Sequence, residues 1–328
     1  MCRNATRYQA QCPCLHCLTS PTAPQALGIF DVFVTNDNGE NWRIVKEGTD
    51  AVIAQGAFTA GSEFIAVGEV PTFGNQTEQS GLLSSKDGGR TWQFTNLTDV
   101  SSTLPRYGGA AGDTWVISGG SFPGVSAELP KGSRRLNRRV IASGTGKGAS
   151  GFKFADATML SAVASDDDAG WSAELLVSKD AGKTWASKYH SEGDFYFNEV
   201  SCGSQDNCCA VGEADQGARP GARIWCTADG GEQWTENMFI GNYTYSLTGM
   251  EFVTPTEAWA SGGIFGDIGP LEALFFHTVD AGKTWQQMRF GGLEGLDVYS
   301  MTFPSGDSTS GHAVGLTALQ ETSELVFQ

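Results

Sequence analysis

Positive charge and histidine are scarce in this chain. Against 37 acidic residues stand 21 basic ones, a formal charge of −16, and 328 residues hold only 4 histidines, His16, His190, His277 and His312. Such a surface repels a phosphate backbone, which excludes nucleic acid as a partner and favours a cationic ligand or basic partner. The histidines are scattered and make no metal-ligand pattern. Long apolar runs are lacking too, since no stretch approaches the roughly 20 residues that a membrane-spanning helix requires. What the chain has in quantity is glycine (43) and tryptophan (9), with 40% hydrophobic residues. That composition suits one β-rich domain of short strands and tight turns.

Glycine and tryptophan recur together. "TNDNGENW", "SSKDGGRTW", "SKDAGKTW", "TADGGEQW" and "TVDAGKTW" share Ser or Thr, then Asp, Gly and Trp at fixed offsets. The copies are Asp37, Gly39 and Trp42; Asp87, Gly89 and Trp92; Asp180, Gly182 and Trp185; Asp229, Gly231 and Trp234; Asp280, Gly282 and Trp285. Each follows a short apolar run and precedes another, which places it at a hairpin tip. There the carboxylate accepts hydrogen bonds from turn amides, and glycine supplies a position for positive φ. The tryptophan begins the return strand, where its ring covers its own sheet's edge and packs toward the next sheet.

Spacing then sets the architecture. The Trp-to-Trp steps are 50, 93, 49 and 51 residues, so a degenerate copy falls within the long step, at "KGSRRLNRRVIAS" (131–143). A second series, "FIAVGE", "WVISGG", "LSAVAS", "CAVGE", "AWASGG" and "HAVGL", recurs at the same period. Four strands per repeat of about 40–50 residues predict an all-β fold, a β-propeller of four-stranded blades. Six blades are favoured. Seven are the alternative, because "SELVF" (323–327) reads as one more third strand. A hairpin beginning near Ile29 is expected to complete the last blade and close the edges of a monomer. Residues 29–328 are then one propeller domain and residues 1–28 a cysteine-containing tail.

The tail holds Cys2, Cys12, Cys14 and Cys17 but no apolar core suited to a signal peptide, and "CPCLHC" matches no standard zinc spacing. Cys202, Cys208, Cys209 and Cys226 all fall in one repeat. Cys202 lies close enough to bridge Cys208 or Cys209, and Cys209 and Cys226 lie on adjacent strands, so intrablade disulfides are expected. With sequons at Asn4, Asn75, Asn96 and Asn242, they imply an oxidising compartment: the secretory pathway, the exterior or an organelle lumen.

These turns resemble the Asp boxes, or BNR repeats, of sialidases, sortilin-type receptors and the photosystem II stability and assembly factor family. The last is closest in style, through "MEFVTPTEAWASGGIFGDIGPLEALFFHTVDAGKTW" (250–285). The resemblance covers roughly residues 29–328. It implies a propeller with structural Asp boxes, a non-enzymatic assembly scaffold and, for that family, a thylakoid lumen. That family is typically seven-bladed, which the count of six does not match.

Sialidase chemistry needs three converging arginines, a tyrosine nucleophile with its glutamate, and an acid. The "Arg-Ile-Pro" segment is absent, and Arg106, Arg219 and Arg223, with Tyr107 beside the first, are expected in loops opposite the Asp boxes. No catalytic residue is assigned. The alternative to a scaffold is a secreted carbohydrate-active Asp-box protein, lectin-like or a divergent glycoside hydrolase, marked by arginine, tyrosine and carboxylates converging in one pocket.

Two surface groupings remain. Glu69, Asp166, Asp167, Asp168, Glu213, Asp215 and Asp267 are expected in loops leaving the second strands, forming an acidic rim. Asp166, Asp167 and Asp168 are the candidates for calcium, the one cofactor considered, although no loop has calcium-loop spacing. Lys131, Arg134, Arg135, Arg138 and Arg139 concentrate positive charge where the Asp turn has degenerated. They form the candidate docking patch for a protein partner with an acidic segment; a glycan is the other partner class.

Overall fold

The computed structural model describes residues 14–19, 30–35, 41, 43–49, 53–60, 63–70, 79–87, 90–96, 105–111, 114–119, 143–144, 149–155, 158–167, 170–179, 184, 186–192, 195–214, 217–266, 269–303, 306, 308–309, 311–317 and 322–327. The chain falls into two compact units, residues 1–146 and 147–328. Among the described residues every regular element is a strand, and the strands form seven sheets.

The first unit has three sheets. β1 (Cys14–Thr19), β2 (Phe30–Thr35) and β3 (Arg43–Thr49) pair antiparallel. β4 (Ile53–Ala60), β5 (Glu63–Val70), β6 (Gln79–Ser85) and β7 (Gln93–Asn96) form a four-stranded meander. β8 (Pro105–Ala111) and β9 (Thr114–Gly119) pair antiparallel, and the short β10 (Ser143–Gly144) joins β9 in parallel.

Four sheets make up the second unit. They are β11 (Ala149–Ala155), β12 (Thr158–Asp167), β13 (Gly170–Ser178) and β14 (Ala186–Glu192); β15 (Tyr196–Cys202), β16 (Cys208–Ala214), β17 (Gly221–Thr227) and β18 (Thr235–Ile240); β19 (Tyr245–Phe252), β20 (Ala258–Gly266), β21 (Gly269–Thr278) and β22 (Gln286–Met288); and β23 (Leu296–Thr302), β24 (Gly311–Thr317) and β25 (Thr322–Phe327). Each is an antiparallel meander in chain order.

Strand periodicity explains how these sheets stack. Successive side chains point to opposite faces, so a strand buried on both sides is apolar at every position. In β16, Cys208 and Ala210 join a core with Val177, Phe195, Phe197 and Trp234, while Cys209 and Val211 face Leu247, Phe252, Leu274 and Phe276. In β21, Leu274 and Phe276 face back toward β16, whereas Ala273 and Phe275 meet Leu296, Val298 and Met301 of the last sheet. Burying side chains of this size stabilises by about 1.5–3 kcal/mol each.

The first strand of six sheets carries a β-bulge that the sequence patterns do not announce. It leaves Gln55, Arg106, Gly151, Asn198, Thr248 and Tyr299 without a cross-strand partner, one in each repeat. A bulge re-aims the side chain it carries. In the second unit Asn198 Nδ2 donates to the Leu247 carbonyl (2.8 Å) and Thr248 Oγ1 to the Val298 carbonyl (2.8 Å). Each bulge side chain thus ties its sheet to the residue just before the next bulge. Ser201 Oγ and Glu199 Oε2 add two ties by accepting from the Phe252 and Met250 amides, each at 2.9 Å.

Several expectations change here. Within the span read as a tail, Cys14–Thr19 forms a strand paired with β2. The segment "SELVF" lies in β25 and takes the third-strand position beside β24, and the strand after Ile29 pairs with β1 and β3. Trp234 packs toward the preceding sheet rather than the next, because its ring joins the core shared with β13.

Candidate functional site

The Asp turns are built as expected where they are described. Asp280 Oδ1 accepts from Thr278 Oγ1 (2.8 Å) and the Thr284 amide (2.9 Å), and Oδ2 from Thr284 Oγ1 (2.6 Å). Asp87 repeats the pattern with Ser85 and Thr91, adding the Arg90 amide, and Asp229 with Thr227 and the Gln233 amide. These donors favour the charged form. Thr284 leads in holding Asp280 down at about 2, Thr91 leads in lowering Asp87, and the Gln233 amide leads in lowering Asp229. Gly231 and Gly282 have φ of 88° and 83°, and each carbonyl accepts from its own tryptophan Nε1 at 3.1 Å. Trp92 is half-buried. Asp37, Gly39, Trp42, Gly89, Asp180, Gly182 and Trp185 lie outside the described residues.

Intrablade disulfides form as expected, and the partner left open for Cys202 is Cys208, with Cys209 bridged to Cys226. The second supports the next sheet's Asp turn. A Cβ on Gly282 would stand 2.4 Å from Cys209 Sγ and 2.6 Å from Cys226 Sγ, so only glycine fits over the bridge.

The expected arginine loops are corrected. Arg106 is the bulge residue of β8 and Arg223 lies within β17; Arg219 alone is in a loop, before β17. Arg223 is 1% exposed, its guanidinium 4.3 Å from the Phe195 ring centre and 5.1 Å from that of Phe239, and it donates to the Arg219 and Gly221 carbonyls. Arg219 lies over Phe239 at 4.2 Å and pairs with Glu236 at 2.8 Å. Tyr107 is in β8.

The acidic rim is redrawn as well, because the second strands run further than the loops were expected to allow. Glu69 belongs to β5, Asp166 and Asp167 to β12, and Glu213 to β16, while Asp168, Asp215 and Asp267 lie outside the described residues. Among the described residues, no three His, Cys, Asp or Glu side chains are grouped to hold a metal ion. Lys131, Arg134, Arg135, Arg138 and Arg139 also lie outside them.

Instead the second unit brings together a constellation that sequence reading missed. Glu213 ends "CAVGE" and faces the first strand of the next sheet; Tyr196, opposite it in β15, donates to Oε1 at 2.6 Å. Burial raises the Glu213 carboxyl, with Ser246, Tyr196, Asn198 and the Leu247 amide opposing. Ser246 pairs across the ladder with Gly263, and a Cβ on Gly263 would meet Asp297 Oδ1 at 2.8 Å. Asp297, 1% exposed, therefore fills the space that Gly263 leaves open in the neighbouring sheet.

Burial, and then the charge of Glu213, push Asp297 up to about 7. Tyr299, 47% exposed, is itself pushed up to about 12 by burial and by Asp297. Glu213 Oε2 and both Asp297 carboxylate oxygens are buried, and the Tyr299 hydroxyl and the Val298 amide oppose the rise at Asp297. The signal for Asp297 was present in "LDVYSM", an acid between two buried apolar residues at the start of a first strand, but nothing local marks it as buried.

No family model matches the chain, and no curated protein does. Solved structures do match. A Hadza microbial sialidase aligns with 92% of this chain at 17% identity and a TM-score of 0.51, and this chain spans 59% of the sialidase's length. YCF48 bound to D1 peptide aligns with 98% of this chain and 96% of its own, at 15% identity and a TM-score of 0.53. An α-L-arabinanase from Penicillium chrysogenum, complexed with arabinobiose, aligns with 96% of this chain and 90% of its own, at 12% identity and a TM-score of 0.57. At such identities the likeness is one of fold, and the chain has the all-β, Asp-box propeller fold that these proteins share.

Proposed function

We propose that this chain is a non-enzymatic β-propeller that binds a peptide segment of a partner protein, as YCF48 binds its D1 peptide. The employment of the arginines carries this reading. Arg223 is buried against Phe195 and Arg219 is tied to Glu236, so neither is presented to a substrate carboxylate as sialidase chemistry needs. The match to YCF48 over nearly the whole of both chains agrees with it. On this reading Lys131, Arg134, Arg135, Arg138 and Arg139 dock an acidic segment of the partner, and the protein works in an oxidising compartment, where its disulfides persist. Affinity capture with mass spectrometry tests the proposal. Reproducible recovery of one partner, mapped to a linear segment, supports it; failure to bind any peptide of an overlapping array made from the recovered proteins counts against it.

A second reading, a divergent glycoside hydrolase, is favoured by one observation. The Tyr196 hydroxyl lies 2.6 Å from the Glu213 carboxylate, and a tyrosine held by a glutamate can perform nucleophilic work in glycosidases. Hydrolysis of any member of a fluorogenic glycoside panel, lost in Glu213→Gln, would select it.

A further inference from the structure

We propose that Asn242 carries an asparagine-linked glycan, which makes the turn between β18 and β19 a modification site. The inference rests on the reading of an oxidising compartment and deepens it, narrowing that compartment to the secretory pathway. The structure separates the sequons that the sequence treats alike. Asn4 and Asn75 lie outside the described residues, and Asn96 is the last residue of β7, paired with Gly81 of β6. Among the described sequons Asn242 alone stands outside a strand, at the first position of its turn.

This turn is built from its own residues. The Asn242 amide donates to the Ile240 carbonyl (2.9 Å), and the Tyr245 amide donates to the Asn242 carbonyl (3.1 Å), closing the turn. The side-chain Oδ1 of Asn242 accepts from the Thr244 amide at 3.0 Å and from Thr244 Oγ1 at 2.9 Å. A short polar side chain thus bonds the backbone two residues on, an Asx-turn, which asparagine forms readily. Both of these donors belong to the sequon itself, so the arrangement needs no tertiary contact and is available to a chain that has not yet folded. In the folded chain the Phe265 amide, donating to the Thr244 carbonyl at 2.7 Å, fixes the turn against β20.

The two ends of the Asn242 amide have different fates. Oδ1 is held by Thr244, whereas no hydrogen bond to a described residue engages Nδ2. A turn kept for shape alone would accept aspartate, which bonds Thr244 in the same way; only the amide supplies a nitrogen. In the transfer, Nδ2 attacks the anomeric carbon of an oligosaccharide carried on a lipid pyrophosphate. The bond from Nδ2 to that carbon forms, the carbon–oxygen bond to the pyrophosphate breaks with its electron pair on oxygen, and one Nδ2 proton passes to a base of the transferase. Folding leaves room for the product. Gly241, Asn242 and Tyr243 are exposed, Tyr243 at 67%, and the turn lies at the end of β18 opposite the Asp229 turn. A bulky, hydrated group attached there displaces no packed side chain.

The test sends the full chain, behind a cleavable secretion signal, through a eukaryotic host and maps its glycopeptides before and after an amidase that releases the glycan and leaves aspartate. Expected is a glycan on most copies of Asn242. Thr244→Val, which removes the hydroxyl, should lose it, and Thr244→Ser should keep it. Asn242→Asp should lose it too, yet unfold thermally like wild type once both have been treated with the amidase, because residue 242 is then the same in each. Unmodified Asn242 in secreted, disulfide-bonded protein overturns the inference, whether or not Asn75 or Asn96 is glycosylated.

The chain purified from its own cells separates this inference from the reading beneath it. A glycan on Asn242 there supports both. Intact disulfides with unmodified Asn242 overturn the inference and leave the oxidising compartment standing, whereas free thiols at Cys202, Cys208, Cys209 and Cys226 overturn both.

Discussion

Replacing Asp297 by asparagine should stabilise the protein, and only at neutral and alkaline pH. The carboxyl is pushed up to about 7 by burial and by Glu213, against 3.8 in an unfolded chain. Between these two values the folded state holds a proton that the unfolded state releases, so wild-type stability falls as the pH rises across that window and levels off above it. At about 1.4 kcal/mol per pH unit the full difference is about 4 kcal/mol, and relaxation around the buried charge reduces the expected loss to about 2–4 kcal/mol. Asparagine keeps the size and never ionises. The variant should therefore match wild type near pH 4 and exceed it by about 2–4 kcal/mol at pH 8. Urea unfolding followed by tryptophan fluorescence, at half-unit steps from pH 4 to 8.5 and constant ionic strength, measures the gap. Taking wild type minus variant cancels the histidines and the Asp turns, which titrate alike in both. A gap that does not change with pH, or a variant less stable at pH 8, refutes the reasoning, since Asp297 would then hold its charge against a partner.

Asp280→Ala removes three hydrogen bonds from an exposed turn and should cost about 1–2 kcal/mol in chemical denaturation. Because the fold holds this carboxyl near 2, the contribution is full above about pH 4 and fades as the pH falls through about 2. Gly282→Ala sets a Cβ against two sulfurs at a φ of 83° and should cost about 2–4 kcal/mol, seen as a lower Tm. Non-reducing peptide mapping should recover Cys202–Cys208 and Cys209–Cys226; the double variant Cys209→Ser, Cys226→Ser, opening a loop of separation 17, should lose about 3 kcal/mol. Reversing Arg134, Arg135, Arg138 and Arg139 to Glu should leave the circular dichroism spectrum unchanged and abolish the salt-sensitive part of partner capture. Unchanged recovery at low salt removes the docking patch from the proposal.

Much of this architecture is written locally. The Asp, Gly and Trp offsets act within one hairpin, so their recurrence announced the repeat, the turn chemistry and the glycines of positive φ. Cysteines on neighbouring strands of one repeat announced the disulfides for the same reason. Alternation also failed locally: "CCAVGEA" reads as one apolar run, and its meaning, a sheet buried on both faces, needed only the existence of neighbours.

What the tertiary structure decided is how one sheet meets the next. A bulge lengthens one strand by one residue without any fixed residue type, so Gln55, Arg106, Gly151, Asn198, Thr248 and Tyr299 share a position that no motif marks. Arg223 became a buried cation because Phe195, just before β15, and Phe239 on β18 cover it, and no spacing reports that. Asp297 sits buried against Gly263 of the neighbouring sheet only because that glycine lacks the Cβ that would stand 2.8 Å from its carboxylate. The raised Asp297 carboxyl depends first on burial, and that exists only once neighbouring sheets have closed over it.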